Sequence, residues 1–197
     1  GRVVKSSADV KCDTMDDVLN NNLIPDFIKI DTQGSELDIL KGAKRLLSDY
    51  APLVTCETWC AEVYKDAPKM HKIISYMDSL GYQVFHMELA AAWHHGKKAS
   101  NCKRKSIGYE ILFAKVSNLN HIYKNKEAMI KFVLLLELYG YRDYAKFLLD
   151  KSDDVFFETL KTKISLNQKN DLKFFRQLLI KILNTLNKVY KSNFNIY

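Results

Sequence analysis

The run Asp31-Thr32-Gln33-Gly34-Ser35-Glu36, set between a strand-like and a helix-like pattern, constrains this chain more than any other feature. Before it, Phe27-Ile28-Lys29-Ile30 follows Pro25 and reads as a buried strand ending at Asp31. After it, Glu36 to Leu47 places Leu40, Ala43 and Leu47 at helical spacing. A strand that enters a helix through so short a turn belongs to an α/β sheet. In open sheets of that kind, ligands gather beyond the C-terminal ends of the strands. Gly34 allows the backbone to turn sharply, and Ser35 is expected to cap the helix, with Asp38 three residues on as in a capping box.

The pattern continues in the same style. Pro52 to Glu57 reads as a second strand ending in an acid, and residues 67–80 as a helix with Met70, Ile73, Ile74, Met77 and Leu80 on one face, stopped by Gly81. Tyr82 to Leu89 and Ile107 to Val116 read as two further strands, joined by a loop over 90–106 rather than by a helix. Without a crossover helix those two pair antiparallel, as a hairpin closing a sheet that begins parallel.

Asp31 and Glu57 therefore end neighbouring strands, and Glu36 opens the helix between them. Carboxylates on one rim can hold a divalent metal, remove a proton, or bind a ligand hydroxyl or amine. Glu36 has a plainer use as well, since an acid favours a helix N-terminus. The loop Ala91-Ala92-Trp93-His94-His95-Gly96-Lys97-Lys98, with Lys103-Arg104-Lys105, is the other candidate. It could cover an acceptor or grip an anion, or simply be a solvated hairpin loop. His86 and Glu88 alternate on the preceding strand and so share a face, where partial burial and ordinary hydrogen bonding are expected.

From about Ser117 the chain changes character. It holds no proline, and only Gly140 interrupts its helical patterns: Met129, Phe132, Val133 and Leu136, then Phe157, Leu160 and Ile164. Leu172, Phe175, Leu179, Ile182, Leu186 and Val189 form a seam suited to a partner helix, within the chain or in a homodimer. The net charge of +7 is concentrated here, because residues 117–197 hold 14 Lys and Arg against 8 acids. The basic residues are interleaved with Phe, Tyr and Leu, the pattern of a core with a solvated face, and nucleic acid is not expected as a partner. No apolar run approaches the roughly 20 residues of a membrane-spanning helix, and residues 1–11 lack a secretory core. Cys12, Cys56, Cys60 and Cys102 form no disulfide framework; with His94 and His95 they make a poor zinc set, because Cys56 falls in a buried strand. A cytoplasmic chain with reduced thiols is the expectation.

Three ordered blocks carry a family resemblance: Thr14-Met15-Asp16-Asp17-Val18-Leu19, then Pro25 through Glu36, then Ile39-Leu40-Lys41-Gly42-Ala43. Together with the strand ending in Glu57 and Leu80-Gly81-Tyr82, they resemble the FkbM-type methyltransferases over about residues 8–116. The resemblance implies a Rossmann-like class I sheet in residues 1–116, followed by a basic α-helical extension over 117–197. It implies methyl transfer from S-adenosylmethionine to an oxygen of a sugar or other small molecule. Asp31, Glu57 and Glu36 are then the catalytic candidates, and Gly34, Trp93, His94 and His95 the substrate-side ones; a metal bridging the acids stays open. The seven glycines, at 1, 34, 42, 81, 96, 108 and 140, form no glycine-rich loop. The expectation is therefore that this segment is the C-terminal half of the domain and lacks the cofactor-binding half. The contrasting reading is a non-catalytic module whose helical tail recruits a protein or an acidic polymer. A metal-dependent nuclease is a weaker third, since no strand shows an acid-x-Lys element beside Asp31.

Overall fold

The computed structural model describes residues 8–19, 23–94 and 103–152. The seam from Leu172 to Val189, the pattern Phe157, Leu160 and Ile164, and His95 and Cys102 lie outside them.

Four strands form one sheet: β1 (Phe27–Ile30), β2 (Leu53–Trp59), β3 (Tyr82–Trp93) and β4 (Lys105–Lys115), in the spatial order β1-β2-β4-β3. β1 and β2 are parallel, with Ile30 opposite Cys56. β4 runs antiparallel to both of its neighbours, β2 and β3. The expected hairpin is therefore present, and its second strand is inserted between β2 and the first. β3 continues four residues beyond Leu89, so Trp93 ends a strand instead of sitting in a loop.

One helix expected over Glu36 to Leu47 is two, α2 (Glu36–Lys41) and α3 (Lys44–Tyr50). The break comes from the segment around α1 (Met15–Val18), whose N-cap Thr14 accepts from the Asp17 N–H. The Asp16 N–H takes the Gly42 carbonyl at 2.9 Å. The Asp16 carboxylate in turn accepts the N–H groups of Arg45 at 2.7 Å and Leu46 at 2.9 Å. A carboxylate 29 residues away thus caps a new helix where the old one would have continued. The Arg45 guanidinium returns the contact by donating to the carbonyls of Asp16 and Leu19. Ser35 does stand at the N-cap of α2, but its side chain makes no capping bond; Glu36 fills that role differently, as shown below.

Alternation sorts the strand residues. Ile28, Ile30, Val54, Cys56, Ile111 and Phe113 face one side, where they pack with Leu40, Leu46, Leu47, Ile73 and Met77 of α2, α3 and α4 (Met70–Ser79). Burial of this set favours the fold by about 25 cal/mol per Å² of apolar surface removed from water. Leu53, Thr55, Leu112 and Ala114 on the other face are buried too. Two helices follow the sheet, α5 (Asn120–Lys124) and α6 (Lys126–Leu138). Met129, Phe132, Val133 and Leu136 of α6 are all buried, as their spacing implied. Lys131 pairs with Asp26 at 3.2 Å and Tyr139 stacks on Phe27, which ties α6 to β1.

At the end of the sheet away from Asp31, Lys115 is 1% exposed. Its Nζ donates to the carbonyls of Leu47 at 3.0 Å and Ser48 at 2.6 Å, closing the C-terminus of α3. The Tyr82 hydroxyl donates beside it, to Leu47 and Pro52. A cation at a helix C-terminus meets unpaired carbonyls and the negative end of the dipole.

The chain divides into two compact units, 1–139 and 140–197. The described part of the second is α7 (Arg142–Asp150), an amphipathic helix that buries Ala145, Leu148 and Leu149. No helix among the described residues is long and apolar enough to cross a membrane.

Candidate functional site

β1 and β2 are parallel neighbours, so the residues at their C-terminal ends share a rim. Asp31 follows β1 directly, and Glu57 lies one residue past the partner of Ile30. What joins them is Gln33. Its Nε2 donates to Asp31 Oδ1 at 3.1 Å and to Glu57 Oε2 at 2.9 Å. Gln33 has φ 62°, a left-handed conformation that costs a side-chain-bearing residue about 1–2 kcal/mol. The two carboxylates hold its amide in place, and its Oε1 accepts from the Tyr64 hydroxyl. Tyr64 comes from the irregular segment between β2 and α4 and meets the Trp59 ring edge-on, centroids 5.9 Å apart.

Glu36 lies behind this rim and is 1% exposed. Its Oε1 accepts from the Thr32 N–H at 3.1 Å, the Thr32 hydroxyl at 3.3 Å and the Gly34 N–H at 3.0 Å; Oε2 accepts from Gly34 as well. This carboxylate therefore shapes the turn from within, and its oxygens are turned to the backbone instead of to the rim. Gly34, at φ 129°, is needed for the same turn; a Cβ there would lie 3.3 Å from that of Ala67. On the other side of the site Gly108 makes room for Trp59, whose ring would stand 2.8 Å from a Cβ at that position.

Electrostatics distinguish the acids. Burial raises the Glu57 carboxyl above its usual range, and the negative charge of Asp31 and the hydrogen bond shared with it push the same way. Glu36 and Glu110 add smaller contributions in that direction. Glu110 stands opposite Glu57 on β4 and is itself paired with Lys29 at 3.0 Å. Glu57 can thus carry a proton at a pH where an ordinary glutamate has lost it. An acid pair bridged by a neutral amide can hold a polar hydrogen and accept a proton.

Sequence reasoning brought Asp31, Glu57, Gly34 and Glu36 to one place, and the structure puts them there. It missed Gln33 and Tyr64 as partners, and it missed Trp59, whose buried indole N–H has no partner among the described residues. Trp93, 48% exposed, and His94, also exposed, lie at the end of β3, and β4 separates that strand from β2. Among the described residues no hydrogen bond or ring contact joins them to the carboxylates. His86 and Glu88 do share a face, but both are exposed where partial burial was expected. Cys56 is a buried free thiol in β2, held in its neutral form chiefly by burial. Among the described residues no cluster of three His, Cys, Asp or Glu is arranged to hold a metal ion.

Comparison with known proteins agrees with the motifs. Residues 2–84 match the family described as Methyltransferase FkbM domain, a span that runs from before α1 into β3. Neither the curated proteins nor the solved structures gave a match.

Proposed function

We propose, with the FkbM methyltransferase match over residues 2–84 as premise, that this chain carries the acceptor side of an S-adenosylmethionine-dependent O-methyltransferase. The match supports methyl transfer at the level of the family. The observation that carries the finer reading is the pair Asp31 and Glu57, joined by Gln33 at the tips of two parallel strands, with Glu57 biased toward its protonated form. Methyl transfer is an in-line displacement, so the protein has to align an acceptor oxygen and accept its proton. Asp31 serves as that base or as the aligning acceptor. Glu57 holds the neighbouring hydrogen bond, and Gln33 fixes the distance between them. Glu36 acts one step back, by holding the turn that presents Gln33. A sugar or another hydroxylated small molecule suits this rim of carboxylate, amide and aromatic groups.

The strand arrangement is consistent with a Rossmann-like class I sheet, whose parallel strands end in an antiparallel hairpin. The residues present do not fit the whole cofactor. The described glycines sit singly in turns or in close contacts, and none belongs to a loop that could cradle the methionine portion. The outer edge of β1 is unpaired among the described residues, and we assign it to the strands of a complementary half bearing that loop. Trp93, His94 and His95 would then act at most on distal parts of the acceptor. The three described cysteines are free, which suits a reducing cytoplasm.

Calorimetry tests the division directly. Titration of this chain with S-adenosylmethionine should give little heat, whereas the full gene product should bind at micromolar levels, roughly 8 kcal/mol. Tight binding by this segment alone overturns the assignment of the cofactor to another half. No binding by the full gene product favours the non-catalytic module.

A further inference from the structure

One polar group at the rim is left without a partner. Trp59 is 7% exposed, and its indole N–H, which can only donate, meets no acceptor among the described residues. A buried donor in that state costs stability, and proteins seldom keep one without a use. Trp59 lies two residues beyond Glu57 on β2, and so on the same face of the sheet. Its benzo edge is packed on Gly108, where a Cβ would stand 2.8 Å from Cζ3 and 2.9 Å from Cε3. Nε1 is on the other edge of the indole, turned away from that glycine.

Tyr64 fills the space between this indole and the acidic pair. Its ring meets Trp59 at 77°, centroids 5.9 Å apart, and its hydroxyl donates to Gln33, whose amide is held by Asp31 and Glu57. Tyr64 is partly exposed and is carried by irregular chain, and its ring offers Trp59 nothing stronger than a π face. A six-membered ring with one hydroxyl thus engages Gln33 and leaves the Trp59 N–H unanswered. A ring with a second oxygen on the far side from that hydroxyl would satisfy both.

We propose that Tyr64 holds the place of the acceptor in the free protein. An acceptor ring displaces it, sets its reacting hydroxyl at the acidic pair and gives a second oxygen to the Trp59 N–H. The proposal rests on the acceptor-site reading above, and it makes Trp59 the residue that selects a polyhydroxylated ring over a singly hydroxylated one. The full chain holds two tryptophans, Trp59 and Trp93, so an isotope-labelled sample gives two indole N–H signals in NMR, and Trp93→Phe shows which belongs to Trp59. In the free chain the Trp59 proton should resonate upfield, as an unbonded donor. Methyl glucoside or methyl mannoside should move it downfield, together with the Gln33 side-chain amide, and bind roughly tenfold tighter than cyclohexanol. Tyr64→Phe keeps the ring but frees Gln33, and should tighten glycoside binding severalfold. A Trp59 proton already downfield without ligand overturns the proposal, since an enclosed water then satisfies it. So does equal binding of glycoside and cyclohexanol, or a Tyr64→Phe variant that binds no tighter. A glycoside that shifts Gln33 but not Trp59 overturns this proposal alone; one that shifts neither removes the acceptor-site reading as well.

Discussion

The two ends of the sheet treat buried charge in opposite ways. At one, Lys115 is enclosed among groups of opposite polarity: two carbonyls at the end of α3, with the Tyr82 ring 5.6 Å away. At the other, Asp31 and Glu57 share a sign and are held near each other by an uncharged amide. In the first, the cost of burying the amine is offset by two hydrogen bonds that also close the end of α3. The second opposes the fold, because burial and mutual repulsion both push the Glu57 carboxyl toward its neutral form. Groups kept together at a cost to stability, and left accessible, are where function is to be sought. Glu36 marks the boundary between the two cases, since it stands at the acidic end yet is bonded like Lys115.

That contrast can be broken by substitution. The largest effect is expected at Glu36. Glu36→Ala strips Thr32 and Gly34 of their acceptor in a buried place and should cost about 3 kcal/mol in urea unfolding. A smaller loss would mean that the turn closes without the carboxylate. Lys115→Met keeps the unbranched apolar stem, one atom shorter, but leaves the carbonyls at the end of α3 with fewer donors. About 2 kcal/mol should be lost, measured in the same way. Burial alone pulls the Lys115 pKa down, with Asp49 opposing, so an unchanged stability would show that the amine is carried neutral and adds nothing.

Glu57→Gln should act in the other direction and be the smallest. Because the folded pKa is raised, the native state holds this proton more tightly than the unfolded chain does. Its penalty is absent at low pH, develops as pH rises above the ordinary carboxylate value, and is complete above the folded one. The variant should therefore be more stable than the wild type at pH 7, by less than about 1 kcal/mol given solvent screening. That advantage should vanish at low pH, where both side chains are neutral. Thermal melts across that range would show it, and a variant less stable at pH 7 would remove the electrostatic distinction between the two ends.

How much of this was legible in the sequence follows from the range of each interaction. Apolar alternation and strand-to-helix punctuation are local, so the four strands, the hairpin and the burial of α6 could be read directly. Asp31 and Glu57 could be brought together because parallel neighbours align their tips. The break at Gly42 could not, since it depends on Asp16 reaching across 29 residues to Arg45. A lysine in a strand reads as a solvent-facing residue, and only the packing of α3 against β4 reveals that Lys115 is enclosed. Gln33 was hidden for another reason. A non-glycine residue in the left-handed region carries no sequence signal, and the partner that fixes it, Tyr64, comes from an irregular segment.

On the proposed function, Asp31 serves the chemistry and not the fold. The direct measurement is turnover of S-adenosylmethionine by the full gene product with a panel of hydroxylated acceptors, comparing wild type with Asp31→Asn. Asp31→Asn should be slower by about 10²-fold or more, the scale of losing a general base, with a thermal midpoint no lower than that of the wild type. Equal turnover by the two proteins would contradict that reading and leave Asp31 as the residue that merely ends β1.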